Sequence, residues 1–133
     1  MSQENVETIR AIYARWSEGD FRAFLDVLDP LVLFVHPPAF PEPGTYLGVE
    51  QMVEFMRGFL ESWSPLTIEA EDITEADGCT VVARVLQSGV GSGSGAKTEL
   101  RYSQVWSFRG GKVIRLENFR EHAKALEAAG LRD

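Results

Sequence analysis

The stretch Tyr102-Ser103-Gln104-Val105-Trp106-Ser107-Phe108-Arg109-Gly110-Gly111-Lys112-Val113-Ile114-Arg115-Leu116-Glu117-Asn118-Phe119 reads as two strands folded over a Gly110-Gly111 turn. A two-residue Gly-Gly loop supplies the positive φ angles that a twisted hairpin needs. Along the first strand Tyr102, Gln104, Trp106 and Phe108 alternate with Ser103, Val105, Ser107 and Arg109. Side chains of a strand point to opposite faces with period two, so one face is aromatic and carries a single amide among the rings. That composition suits a mostly apolar pocket holding a few placed polar groups. It suits a plain core almost as well.

Outward from this hairpin, the sequence divides into helices first and strands later. Residues 3–18 have Val6, Ile9, Tyr13 and Trp16 at helical spacing, with Ile12 beside them, and Gly19 ends the pattern. Asp20 is expected to cap a second, shorter helix carrying Phe21, Phe24, Leu25 and Leu28, stopped by Asp29-Pro30. Leu31 to His36 is apolar and β-prone, and reads as a strand. The run from His36 to Gly44 contains four prolines, which deny it sheet or helix hydrogen bonds and make it a stiff loop. Gly48 precedes a third helix with Met52, Phe55, Met56, Phe59 and Trp63 on one face, ended by Pro65.

Further strands are expected near 66–74 and 79–88, with an Asp77-Gly78 turn between them, followed by 98–109 and 112–119. In the strand at 79–88 the phase is ambiguous. Val81, Ala83 and Val85 look inward, but Val82 and Leu86 compete, which leaves Arg84 a candidate for the pocket. A closing helix places Ala123, Leu126 and Ala129 inward and stops at Gly130. This order argues for one α+β domain over residues 1–133, with helices covering one face of a curved antiparallel sheet.

Composition bounds the function. The 133 residues carry a net charge of −7, with 44% hydrophobic and 25% charged residues. So acidic a chain lacks the counterion-release term that drives nucleic-acid binding, and an anionic membrane is disfavoured for the same reason. No apolar run approaches the ~20 residues of a membrane helix. The first residues have neither a basic segment nor an apolar core, so they do not read as a signal peptide. A lone cysteine, Cys79, permits no intrachain disulfide and is expected to be a small buried residue opening a strand. A cytoplasmic location is expected.

Two apparent motifs fail on inspection. Gly91-Ser92-Gly93-Ser94-Gly95-Ala96-Lys97-Thr98 has Ala96 where a phosphate loop needs glycine before lysine, and it leads into a strand rather than a helix. The two histidines, His36 and His122, have no spacing that joins them to carboxylates as metal ligands, so no metal and no cofactor are expected. His122 reads as a solvated residue of the closing helix. His36 ends an apolar strand on the same face as Phe34 and is the side chain best suited to titrate near neutral pH. It is the candidate catalytic residue, although a lone histidine there also reads as structural. Gln104 and Asn118 lie on adjacent strands in phase with Tyr102, Trp106 and Leu116. A buried amide must find a partner, and theirs is each other, Tyr13, water or a ligand. Arg84, Arg101, Arg115 and Glu117 fall on or beside the opposite phase and read as surface.

In the order of these pieces the chain resembles the nuclear transport factor 2-like superfamily, in its SnoaL-like branch, from about Glu4 to Leu131. The resemblance rests on several pieces: the aromatic-bearing first helix ending Glu18-Gly19-Asp20; Leu28-Asp29-Pro30 running into a strand that ends His36-Pro37; and Tyr46-Leu47-Gly48-Val49-Glu50 opening a helix. It also rests on Val105 to Arg115, followed by Ala125 to Leu131. It implies a cone-shaped α+β domain whose three N-terminal helices and curved sheet enclose a deep pocket, with a short C-terminal helix. It also implies a sheet that packs against a second subunit, hence a homodimer. Members similar to this chain include ketosteroid isomerases, polyketide cyclases and limonene epoxide hydrolases.

Residue by residue, the isomerases similar to this chain place a tyrosine where Ile12 stands, a base aspartate where His36 stands and a protonated aspartic acid where Gln104 stands. The cyclases have a histidine and an aspartate at Gln104 and Asn118, and the epoxide hydrolases an aspartate at Asn118. An amide keeps the shape and hydrogen bonding of an acid but not its proton affinity. The expectation is therefore a protein that binds a small, largely apolar, cyclic or carbonyl-bearing molecule. Tyr13, Trp16, Phe34, Phe55, Phe59, Tyr102, Gln104, Trp106, Leu116 and Asn118 line the site, and His36 serves as acid or base. If it is an enzyme, it is a cofactor-independent isomerase, cyclase or hydrolase. The alternatives are a non-catalytic metabolite binder and a dimeric interaction module.

Overall fold

The computed structural model describes residues 2–22, 24–38, 40 and 43–131, without the side chains of Ser2 and Ser64. Helix α1 spans Ser2–Trp16, a single 3-10 turn spans Leu25–Val27, and strand β1 spans Leu28–His36. Then follow β2 (Gly44–Leu47), α2 (Gly48–Ser62), β3 (Trp63–Asp77), β4 (Thr80–Gly91), β5 (Lys97–Arg109), β6 (Lys112–Phe119) and α3 (His122–Ala128). The strands form one sheet in the order β2-β1-β6-β5-β4-β3.

The quoted hairpin is present. Gly110 and Gly111 turn it with φ of +57° and +80°, the left-handed region that favours glycine. Gln104 pairs with Asn118 and Trp106 with Leu116 across β5 and β6. The sheet is not wholly antiparallel, however: β1 runs parallel to β6, with Phe34 beside Leu116 and Val35 beside Glu117. The chain leaves β1 through β2 and α2 and returns to β1 only after three antiparallel strands. A parallel contact needs such a long crossover, and side-chain periodicity does not reveal strand direction.

The expected second helix is absent. Asp20 does accept from the Arg22 N–H at 3.2 Å, but only the 3-10 turn Leu25–Val27 follows, and Leu28 already belongs to β1. Phe24 is buried edge-on against Trp16, with Phe21 tilted on the same indole. Burial of these rings fixes the segment without a continuous helix. Two α-helices and one short turn therefore precede β3, not three helices. Strand β2 was hidden in the sequence, since its four residues follow the proline-rich run directly. Trp63 opens β3 instead of ending α2, and Pro65 lies in β3, an edge strand whose register shifts between Trp63 and Leu66. An edge strand tolerates proline because one side of its backbone needs no partner.

The core lies between the helices and one face of the sheet, and includes Ile9, Ile12, Trp16, Val32, Val81, Ala83, Val85 and Trp106. That settles the phase of β4. Val82 points to the opposite face, where it packs with Val105 against Ala125 of α3. Arg84 is exposed on that outer face and is not a cavity residue. Within α3 it is Ala125 that is fully buried, while Ala123 is exposed. Cys79 is exposed at the turn between β3 and β4, contrary to the expectation of a buried residue. Its N–H donates to Asp77 Oδ1 at 2.7 Å, so a turn, not a strand, fixes its place. No helix among the described residues is long and apolar enough to cross a membrane.

Candidate functional site

Between α2 and the inner face of the sheet lies a cavity of about 250 Å³. Trp16 of α1 and Met52, Phe55, Met56 and Phe59 of α2 form one side. Phe34 and His36 of β1, Tyr102 and Gln104 of β5, and Leu116 and Asn118 of β6 form the other. Gln87, Thr98, Glu99 and Leu100 also line it, and the exposure of Thr98 and Glu99 marks this end as its mouth. Helical spacing puts the α2 residues on one face, and alternation puts the strand residues on one face. Eight of the ten expected ligand-binding residues, all but Tyr13 and Trp106, line this cavity, as does His36.

Inside this apolar wall runs one polar row. Gln104 pairs with Asn118 across β5 and β6. His36 follows directly on Val35, which pairs with Glu117, and it lines the same cavity as Asn118 and Gln104. All three side chains are buried, at 6% exposure for His36 and 4% for each amide. The His36 imidazole sits within rings: Phe34 stacks on it at 5.5 Å, Phe40 tilts over it at 4.8 Å and Phe55 meets it edge-on at 4.9 Å.

Behind Gln104 stand Tyr13 and Trp106, which do not reach the cavity wall. Trp106 Nε1 donates to Tyr13 Oη at 2.8 Å, Tyr13 Oη donates to Gln104 Oε1 at 2.6 Å, and Gln104 Nε2 donates to Asn118 Oδ1 at 3.0 Å. Four side chains from α1, β5 and β6 thus form one directed chain that ends at the cavity. Among the described residues nothing accepts from Asn118 Nδ2. Burial holds the Tyr13 phenol well above its ordinary pKa of 10.0, outweighing the opposite pull of the Trp106 hydrogen bond, so it stays a neutral donor. Burial also raises the Tyr102 phenol, which donates to Gln87 Oε1 at 2.8 Å.

The resemblance put the isomerase tyrosine at Ile12, which is buried apolar core. One residue further on, Tyr13 brings a phenol to Gln104, so this part of the site does hold a hydroxyl. Sequence reasoning missed several residues of the cavity wall, among them Phe24, Phe40, Met52, Met56, Trp63 and Ile68, and the mouth residues Gln87, Thr98, Glu99 and Leu100. Met52 and Met56 share the helical face of Phe55 and Phe59, and that spacing was signal enough. Phe40 follows the proline-rich run, where no periodicity exists to find it. His122 is half-buried and not simply solvated: its Nδ1 lies 2.7 Å from Ser103 Oγ, on the outer face away from the cavity. Among the described residues no three His, Cys, Asp or Glu side chains gather to hold a metal ion.

The chain matches the family model described as SnoaL-like domain over residues 9–116. No curated protein sequence matches it significantly. Among solved structures, an NTF2-like protein from Burkholderia thailandensis aligns with a TM-score of 0.78 at 24% identity, covering 95% of this chain and 96% of that one. A putative SnoaL-like polyketide cyclase from Jannaschia sp. CCS1 aligns with a TM-score of 0.75 at 20% identity, covering 89% and 85%. TerC, co-crystallised with polyporic acid, aligns with a TM-score of 0.76 at 25% identity, covering 96% and 98%.

Proposed function

The chain belongs to the SnoaL-like domain family, and from that premise we propose that it binds a small, largely apolar, carbonyl-bearing ring compound and performs acid-base chemistry on it through His36. The observation that carries this reading is the polar row of His36, Asn118 and Gln104 in an otherwise aromatic cavity. An apolar cavity with a few convergent polar groups is how a site holds and orients a small organic molecule.

The chemistry follows from the row. The ligand's carbonyl oxygen accepts a hydrogen bond from Asn118 Nδ2, and the carbon next to that carbonyl lies over His36. His36, acting as the base, takes a proton from this carbon. The C–H electron pair becomes a C=C bond, and the carbonyl π pair moves onto oxygen. Asn118 donates to that oxygen as its charge grows, which stabilises the transition state more than the ground state. Where the deprotonated carbon is attached to a further C=C bond, return of the proton from imidazolium to the far carbon of that bond shifts the double bond and completes an isomerisation. Attack of the enolate carbon on a second carbonyl breaks that carbonyl's π bond, and the imidazolium proton passes to the alkoxide that forms, which completes a ring closure instead. No cofactor enters either balance.

We extend the proposal to a homodimer formed through the outer face of the sheet. Leu31 and Leu47 are 74% and 53% exposed, and Leu47 pairs with Leu33. Native mass spectrometry of the wild type and of Leu47→Glu tests this: a dimer is expected, with the variant shifted toward monomer.

The test of the main reading is deuterium incorporation at the carbon next to the carbonyl of 2-tetralone in D2O, with and without protein. Exchange faster than buffer, reduced at least 100-fold by His36→Ala, is the expected result. Exchange that ignores that substitution removes His36 from the mechanism.

A further inference from the structure

Trp106 does not line the cavity, yet we infer that its indole N–H decides which ligands the cavity accepts, by fixing which end of Asn118 faces them. This rests on the binding reading above and deepens it to a ligand class: molecules that present a hydrogen-bond acceptor, and no donor, at the amide row.

The argument begins with what each group is able to do. An indole Nε1–H donates and never accepts. Trp106 is fully buried, and its Nε1 lies 2.8 Å from Tyr13 Oη, so Oη must be the acceptor of that bond. A hydroxyl has one hydrogen, which Tyr13 therefore spends on Gln104, 2.6 Å away. Only the oxygen of the Gln104 amide fits opposite that hydrogen. Its NH2 then faces Asn118, 3.0 Å away, and only the oxygen of Asn118 fits there. The NH2 of Asn118 is the end left over by this chain, and Asn118 is a residue of the cavity wall.

An amide is nearly symmetric in shape, so packing alone does not choose between its two ends. Without the indole donor, Tyr13 Oη is free to accept from Gln104 instead, and the reverse direction becomes accessible. Gln104 Nε2 then donates to Tyr13, Asn118 Nδ2 donates to Gln104, and Asn118 Oδ1 faces the cavity. One N–H at the far end, two side chains removed from Asn118, selects between these states. Chains of hydrogen bonds polarise their members in this way, and a buried group facing a like group is heavily penalised.

Three bicyclic probes of nearly equal shape read the polarity: 1-indanone carries only an acceptor, indole only a donor, and indene neither. Isothermal titration calorimetry of the full chain gives their affinities. For the wild type, 1-indanone should bind roughly 10- to 100-fold more tightly than indole, with indene between them. In Trp106→Phe the ratio of 1-indanone to indole should collapse to within about threefold, because both amide orientations become accessible. Tyr13→Phe, which breaks the chain at its second link, should collapse the same ratio and serves if the tryptophan variant fails to fold.

A merely structural role predicts something else. Loss of packing would weaken all three probes by one common factor and leave their ratio unchanged, and that result overturns the inference while the binding reading stands. Wild-type protein that binds indole as tightly as 1-indanone also overturns it. Wild-type protein that binds none of the three overturns the binding reading, and the inference with it.

Discussion

Tyr13→Phe is the most informative single change to the stability of this molecule. The substitution keeps the ring and its edge-to-face contacts with Trp16 and Trp106, at 5.4 and 6.0 Å, and removes one oxygen. That oxygen makes two buried hydrogen bonds, accepting from Trp106 Nε1 and donating to Gln104 Oε1. Each bond contributes about 1 kcal/mol net, and each group orphaned in the core adds a desolvation penalty, so the loss should be about 2–4 kcal/mol. For 133 residues at about 2.1 cal/mol/K of unfolding entropy each, this lowers Tm by roughly 7–14 °C.

Trp106→Phe alone should also destabilise. In the double variant, however, no indole N–H remains to be stranded. The combined loss should therefore fall short of the sum by about 1–2 kcal/mol. Urea unfolding of the four proteins, followed by far-ultraviolet circular dichroism, closes the cycle. A Tyr13→Phe loss under about 0.5 kcal/mol, or strictly additive effects, would refute the idea that these groups form one chain.

Two further outcomes are expected. Burial raises the pKa of both Tyr13 and Tyr102, so above pH 10 the unfolded chain gives up protons that the native state retains. Stability from this source is intact below pH 10 and falls as pH rises, by about 1.4 kcal/mol per pH unit for each tyrosine. Urea titrations at alkaline pH should reveal that slope, and Tyr102→Phe should halve the part due to these two groups. Gly111 has φ of +80°, and a Cβ added there would meet nothing within 4 Å. Gly111→Val should therefore cost about 1–2 kcal/mol from backbone conformation alone, measured by the same unfolding assay.

The hairpin and the aromatic faces were legible because alternation is a local property that the sheet preserves. Gln104, Asn118 and Leu116 could be placed on one wall from their phase alone. The Gly110-Gly111 dipeptide permitted the turn, since few other pairs accept two positive φ angles. What escaped was non-local. The parallel contact of β1 with β6 depends on where the chain returns, not on any residue pattern. The helix expected from Asp20 failed for a different reason: Phe21 and Phe24 bury against Trp16, only five and eight residues back, and a single 3-10 turn is enough to seat them. Tyr13 was read as a lining residue because it shares a helix face with Trp16. One turn of helix separates a ring on the wall from a phenol behind Gln104, and sequence spacing does not measure depth. In the same way, the phase of β4 became readable only once α3 accounted for Val82 on the outer face.

The central claim is that the Asn118 amide and His36 face a ligand together inside one cavity. A crystal structure with 1-indanone bound tests it most directly. The account predicts the carbonyl oxygen about 3 Å from Asn118 Nδ2, with the ring beside the His36 imidazole and within Phe34, Phe55 and Tyr102. A ligand whose oxygen points to the mouth at Thr98 and Glu99, with Asn118 left untouched, would contradict it.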